Sequence, residues 1–194
     1  MQSKSPRILH MATHGFFLSD QDWSSLMGDK SRGITITAKE APSGKKPVRI
    51  ENPFLRAGLA LAGANRSLAQ EGVTEGILTA EKILSLNLRG TDLVVLSACE
   101  TGVGDVKNGE GVYGLRRAFT QAGAKSLVMS LWEVPDKETK ELMVSFYQNL
   151  KSGKMNRTAA LRHAALKQRE TVKARYGSDN PYYWGAFVFL GEAK

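Results

Sequence analysis

The sequence has little of several features that define large classes of protein. Its 194 residues include a single cysteine, Cys99, so no intrachain disulfide can form and a reducing compartment is expected. No run of about 18 apolar residues occurs, so we expect no membrane-spanning helix. The first six residues lack the apolar run of a signal peptide. Together these absences predict a cytoplasmic protein with no membrane partner.

The composition is that of a globular chain with a basic surplus. Hydrophobic residues make up 42% of the sequence, which is enough to bury a core, and the formal net charge is +8. A surplus of this size can attract nucleic acid, anionic lipid or an acidic protein segment. However, Lys and Arg are scattered, with short concentrations at 45–49 and 167–175. We interpret the charge as favouring solubility with a mild electrostatic bias, and we do not expect direct nucleic-acid binding.

Hydrophobic periodicity predicts an α/β fold in one domain covering residues 1–194, with a mostly parallel sheet and helices on both faces. Segment 54–63 is ambiguous between strand and helix, and the polar stretch 19–52 is expected to be a flexible insertion. The predicted strands are 7–13, 92–98, 125–132 and 186–190, and the predicted helices are 79–86, 110–122, 137–150 and 157–175.

Four residues mark the ends of these helices. Thr79, Asp136 and Asn156 carry side-chain oxygens that can cap a helix N-terminus, and each precedes a helical pattern. Gly123 stands where the second helix is expected to end.

Two strand ends carry residues suited to nucleophilic catalysis. One strand is expected to end at a turn in His14-Gly15, and another ends in the segment SACETG, which contains Cys99. Reactive groups gather at the carboxyl ends of parallel strands, so neighbouring strands would place thiol and imidazole across one cleft. The thiol would attack a carbonyl and the imidazole would protonate the departing amine. The backbone N–H groups of Gly15 and Cys99 could stabilise the oxyanion. The alternative is an inert, buried cysteine.

Other constellations do not support a cofactor. His10 and His14 are four residues apart, a spacing that suits metal ligands on a helix, but both lie in a predicted strand. His10 is expected on a sheet face or in the core, and His163 is expected to be structural. The glycines that follow Cys99 are not succeeded by a GK[ST] or GxGxxG pattern. We therefore expect no metal and no cofactor.

The segments ILHMATHG and LVVLSACETG resemble the two signature motifs of the CHAT family. These caspase-like peptidases belong to the clan of caspases, separase and gingipains. The resemblance continues in the same order through GEGVYGLRRAFTQAGAKSLVMSLWEVPD to NPYYWGAFVFLG and covers most of residues 8–191. It implies a three-layer caspase-like fold and cysteine endopeptidase activity.

When the functional positions of the family motifs are matched to this sequence, the resemblance implies Cys99 as nucleophile and His14 as general acid and base. It also implies an oxyanion hole formed by the Gly15 and Cys99 amides. The segment SLWEVPD resembles the LWDVTD stretch of separase, in which an acidic residue receives a substrate arginine. By that analogy Asp136 is the candidate floor of the specificity pocket, Glu133 is the second choice and Trp132 is a wall. Cleavage after a basic residue is then expected. The competing interpretation makes Asp136 only a helix cap.

The resemblance also bears on partners. CHAT domains usually have one or two more strands before the histidine strand, and we expect these strands to be missing here or supplied by another chain. CHAT domains commonly follow tetratricopeptide repeats, so an upstream sensor or such a repeat region, in the same or another chain, is an expected partner. The alternative function is that of a catalytically inactive caspase-like interaction or scaffold domain regulated by or fused to such repeats.

Overall fold

The computed structural model describes residues 5–17, 57–65, 76–99 and 110–194, without the side chains of residues 17, 98, 99 and 110–113. The predicted insertion at 19–52 lies outside these ranges. The strands are β1 Ile8–Phe17, β2 Ala57–Ala60, β3 Ile77–Thr79, β4 Leu93–Cys99, β5 Ser126–Ser130 and β6 Phe187–Gly191. The helices are α1 Ala80–Leu84, α2 Glu110–Gln121, α3 Asp136–Lys151 and α4 Arg157–Tyr176, with a short 3-10 helix at Pro181–Tyr183.

The described strands form one sheet in the order β3-β2-β1-β4-β5-β6. The central strands β1, β4 and β5 are parallel, while β2 and β6 run antiparallel to their neighbours. Because β3 is antiparallel to β2, four of these six strands run in one direction. The parallel centre agrees with the α/β prediction and places the carboxyl ends of β1, β4 and β5 along one edge.

Both faces of the sheet are covered, as a buried parallel strand requires. Along β4, Val94 and Leu96 are fully buried in a cluster with residues of α1 and α2, such as Ile83 and Phe119. Their neighbours on the strand, Leu93 and Val95, pack in a second cluster with α3 and α4. The strand is therefore apolar on both faces, and the molecule has the three layers expected of a caspase-like fold.

Local signals at several helix ends are confirmed. The side chain of Thr79 accepts a hydrogen bond from the backbone N–H of Lys82, and the side chain of Asn156 accepts one from Ala159. Gly123 follows α2 with a φ of 107°, a conformation that glycine adopts without a steric penalty. These caps act within one turn of the chain, so they can be predicted from the sequence.

Two predicted boundaries are wrong. β1 does not end at a turn in His14-Gly15 but continues to Phe17, because β2 pairs with it antiparallel over this stretch. Asp136 is the first residue of α3 and not its N-cap. Pro135 takes the cap position with an extended backbone, and its carbonyl accepts a hydrogen bond from the N–H of Thr139.

Asp92 joins three elements at the opposite edge of the sheet. Its carboxylate lies 2.7 Å from the Lys125 ammonium, 3.4 Å from Arg7 Nε and 3.8 Å from Arg157 Nη2. The hydrogen bond from Lys125 is the main reason why the pKa of Asp92 is held below its ordinary value. The charged carboxylate thus stabilises the start of β4 against its neighbours.

We expect Asp92→Asn to lower the free energy of unfolding at pH 7 by about 1 kcal/mol, because the pairs are only partly buried. Since the folded-state pKa lies below the ordinary 3.8, the stabilisation is present above that pH and lost as the pH falls through the folded-state value. Urea unfolding at pH 7, 5 and 3 measures the difference between variant and wild type. Asp179→Asn, which removes only an exposed pair with Arg169, is the control with a smaller expected effect. A difference that grows in acid would contradict this account.

Candidate active site

The ends of two neighbouring strands bring the proposed catalytic positions together. β1 and β4 are adjacent and parallel, and their register pairs His14 with Cys99. His14 is exposed, so it is accessible to a substrate. His10 and Ala12, which precede His14 on its face of β1, are paired with Val95 and Ser97 of β4.

A groove of about 810 Å³ lies between this face of the sheet and α3. We call it the His14 groove. Its sheet side is formed by residues of β1 and β4, and its other side is formed by residues of α3. The lining residues are His10, Ala12, Thr13, His14 and Ser97 from the sheet, and Asp136, Thr139, Lys140, Met143, Val144, Tyr147, Gln148 and Lys151 from α3.

The groove contains a polar network that the sequence did not predict. His10 Nε2 lies 3.1 Å from Ser97 Oγ, and the Tyr147 hydroxyl lies 3.0 Å from His10 Nδ1. Partial burial lowers the pKa of His10, and burial raises the pKa of Tyr147 to about 12. Both groups are therefore neutral near pH 7, and the network links β1, β4 and α3 without a net charge. Period-2 alternation could have placed His10 on the face of His14, but nothing local indicates Tyr147.

The three candidate specificity residues occupy different surroundings. Asp136 is exposed and lines the His14 groove from the first turn of α3. Glu133 is exposed and is not a lining residue of this groove. Trp132 is half-buried, and its indole N–H donates to the backbone oxygen of Tyr182 at 2.9 Å, so it packs toward the C-terminal segment. Of the three, Asp136 shares the groove with His14.

The backbone of Gly15 lies on the side of β1 that faces β4. The Arg7 carbonyl accepts hydrogen bonds from the N–H groups of Asp92 and Leu93, at 2.8 and 3.2 Å. Backbone polar groups of alternate residues face the same neighbouring strand, so the odd-numbered residues of β1 present theirs to β4. The N–H of Gly15 is therefore next to the end of β4 at Cys99.

The described part of the chain contains neither a metal-binding cluster nor a membrane-spanning helix. In it, no three His, Cys, Asp or Glu side chains come close enough together to hold a metal ion. No helix in the same ranges is long and apolar enough to cross a membrane.

Comparison with known proteins gives two findings. The family model described as "CHAT domain" matches residues 1–192. A segment of 117 residues, 60% of this chain, is 33% identical to Tetratricopeptide repeat protein 28 of Mus musculus and 34% identical to that of Homo sapiens. The match spans only 4% of the length of these relatives. Since the family model covers nearly every residue, this chain belongs to the CHAT domain family.

Proposed function

We propose that this CHAT domain is a cysteine endopeptidase that acts through a Cys99–His14 dyad. The observation that carries the proposal is the register of the central sheet, which pairs these two residues on neighbouring parallel strands. The His14 groove begins at the same place and is large enough for several residues of an extended peptide. No third member of a triad is needed, because a thiol is intrinsically nucleophilic.

The chemistry follows from the two groups. His14 takes the proton of the Cys99 thiol. The thiolate attacks the scissile carbonyl carbon, and the negative charge passes to the carbonyl oxygen. His14 transfers a proton to the nitrogen of the leaving amine as the C–N bond breaks, which leaves a thioester on Cys99. Water, deprotonated by His14, then hydrolyses the thioester and restores the thiol.

The Gly15 and Cys99 N–H groups are the proposed oxyanion donors. In the β1–β4 register the Gly15 N–H faces β4 and the Cys99 N–H faces β1, so this role requires the ladder to open at the ends of the two strands. Glycine also leaves room for the close approach of a substrate backbone.

Asp136 is the proposed partner of a basic residue immediately before the cleaved bond. It lines the groove that His14 lines, whereas Glu133 does not, and its carboxylate can form a charge-assisted hydrogen bond with Arg or Lys. Its place as the first residue of α3 is compatible with this role, since the N-cap position belongs to Pro135.

The proposed partners are a protein substrate and a tetratricopeptide-repeat region in the same or another chain, acting as a sensor in the cytoplasm. The relatives' names support this proposal, since each is called a tetratricopeptide repeat protein. We propose that this region, and not cleavage between Cys99 and Trp132, controls activity.

The dyad predicts a specific pattern of variants. Cys99→Ala is expected to fold normally and lose all cleavage, and His14→Ala is expected to lower kcat/KM at least about 100-fold through loss of the proton donor. His163→Ala, which removes a histidine of α4 that contacts Asn149, is the control and retains activity. Mass-spectrometric mapping of cleavage sites in a proteome digest measures the outcome. If wild type and Cys99→Ala give the same peptides, the domain is an inactive scaffold.

The specificity residue is tested with peptides that differ only before the cut. Asp136→Asn is expected to reduce kcat/KM for an Arg peptide by about 10–100-fold, the range of one charged hydrogen bond, and to change a neutral peptide much less. Glu133→Gln is the matched control and is expected to leave the preference intact. A wild-type preference for Asp or an apolar residue, or a loss of preference in Glu133→Gln, would refute the assignment.

A further inference from the structure

A second groove, of about 420 Å³, lies between α3 and α4 on the outside of the molecule. We call it the α3–α4 groove. Its lining residues are Lys140, Glu141, Val144, Ser145 and Gln148 from α3, and Lys167, Gln168 and Thr171 from α4. The proposed peptidase chemistry uses none of the residues that α4 contributes.

The α3–α4 groove is lined by two lysines and one glutamate, so its lining has a small positive surplus. Lys140 and Lys167 are both exposed, and neither forms an ion pair with a residue that the structure describes. Glu141 is the acid among the lining residues, but its carboxylate already accepts bonds from Arg175 and Gln168, at 2.8 to 3.2 Å. The two lysines therefore remain available to an anionic partner.

The same groove contains an exposed apolar residue, Val144. Val144 is 48% exposed, which is high for a residue of this type, and it stands between Lys140 and Gln148 at four-residue steps along α3. The phosphate backbone of a nucleic acid offers this valine no apolar contact. A protein segment that carries both acidic and apolar side chains fits the valine as well as the lysines.

The two grooves meet on α3. Lys140, Val144 and Gln148 line the His14 groove as well as the α3–α4 groove, so these three residues form a ridge between them. A peptide lying in the α3–α4 groove can cross this ridge and continue toward His14.

We propose that the α3–α4 groove is an exosite that binds an acidic and apolar segment of the protein substrate, away from the bond that is cleaved. The inference rests on the proposed peptidase function for the nature of the occupant. The charge of the two lysines, the exposed valine and the continuity of the grooves select this occupant. Such a site would allow selection of a substrate by a segment other than the residues around the cut.

Binding is tested first, with Cys99→Ala, so that cleavage does not interfere. The probe is a fluorescent 12-residue peptide of Glu, Asp and Leu without a basic residue, and anisotropy reports its affinity. Its two comparison peptides replace the acids by their amides or the leucines by serine. We expect both changes to weaken binding at least about fivefold, since each removes one of the two kinds of contact.

The site is then located by matched charge reversals. Lys140→Glu/Lys167→Glu is expected to weaken binding of the acidic and apolar peptide about tenfold or more. The control Lys154→Glu/Lys173→Glu makes the same change in net charge at exposed positions outside both grooves, and it is expected to retain affinity. Equal loss in the two pairs, no binding by Cys99→Ala, or displacement by an oligonucleotide as effective as by unlabelled peptide would overturn the exosite.

Cleavage by the active chain separates this proposal from the one on which it rests. An Arg peptide extended by the acidic and apolar segment is expected to have a KM at least about tenfold lower than the Arg peptide alone, with kcat little changed. If both peptides are cleaved with equal KM, the exosite is wrong and the peptidase stands. If neither is cleaved but the segment binds at the two lysines, the peptidase is wrong and the groove is a binding site of a scaffold.

Discussion

The parallel pairing of β1 with β4 is the constraint on which the proposed site depends. It places Cys99 beside His14 in the register of the sheet, and it sets the backbone of Gly15 against the end of β4. A shift of one residue would move every side chain of β1 to the opposite face. The buried residues of β4 oppose such a shift, since they are packed on both faces. Core packing and the geometry of the site are therefore maintained by the same interactions.

Helix α3 joins the core to both grooves. Its buried residues Leu142 and Phe146 pack in the cluster that covers one face of the sheet. Lys140 and Val144 belong to its exposed stripe, which lines the His14 groove and the α3–α4 groove. The bond between Tyr147 and His10 ties the helix to β1 within the His14 groove. One amphipathic helix thus packs against the sheet with its buried face and lines both proposed binding grooves with its exposed face.

The structure shows which of the described basic residues are paired with acids and which are not. Several cations are neutralised locally, as Lys125 is by Asp92 and Arg175 is by Glu138 and Glu141. Lys140 and Lys167 are not paired in this way with described residues, and they lie in a groove with an apolar centre. Basic residues are scattered along the sequence, but the fold brings two of them, Lys140 and Lys167, together in one groove. This distinction separates the proposed protein-binding surface from general attraction to polyanions.

The sequence by itself determined the features that arise within one or two turns of the chain. The apolar run of β4, the helical pattern of α2 and the caps Thr79 and Asn156 follow from periodicity and from hydrogen bonds between near neighbours. The motifs around His14 and Cys99 also indicated the CHAT family, which the family model shows. The short strand β3 was missed, because three residues carry too little periodic signal.

Only the tertiary structure decided what depends on contacts between distant parts of the chain. The continuation of β1 beyond Gly15 requires its partner β2, and the bond between His10 and Tyr147 joins residues 137 positions apart. The choice of Asp136 over Glu133 as a groove residue depends on how α3 packs on the sheet. Such relations are set by which faces are buried together, and a local pattern specifies that a face is apolar without specifying its partner.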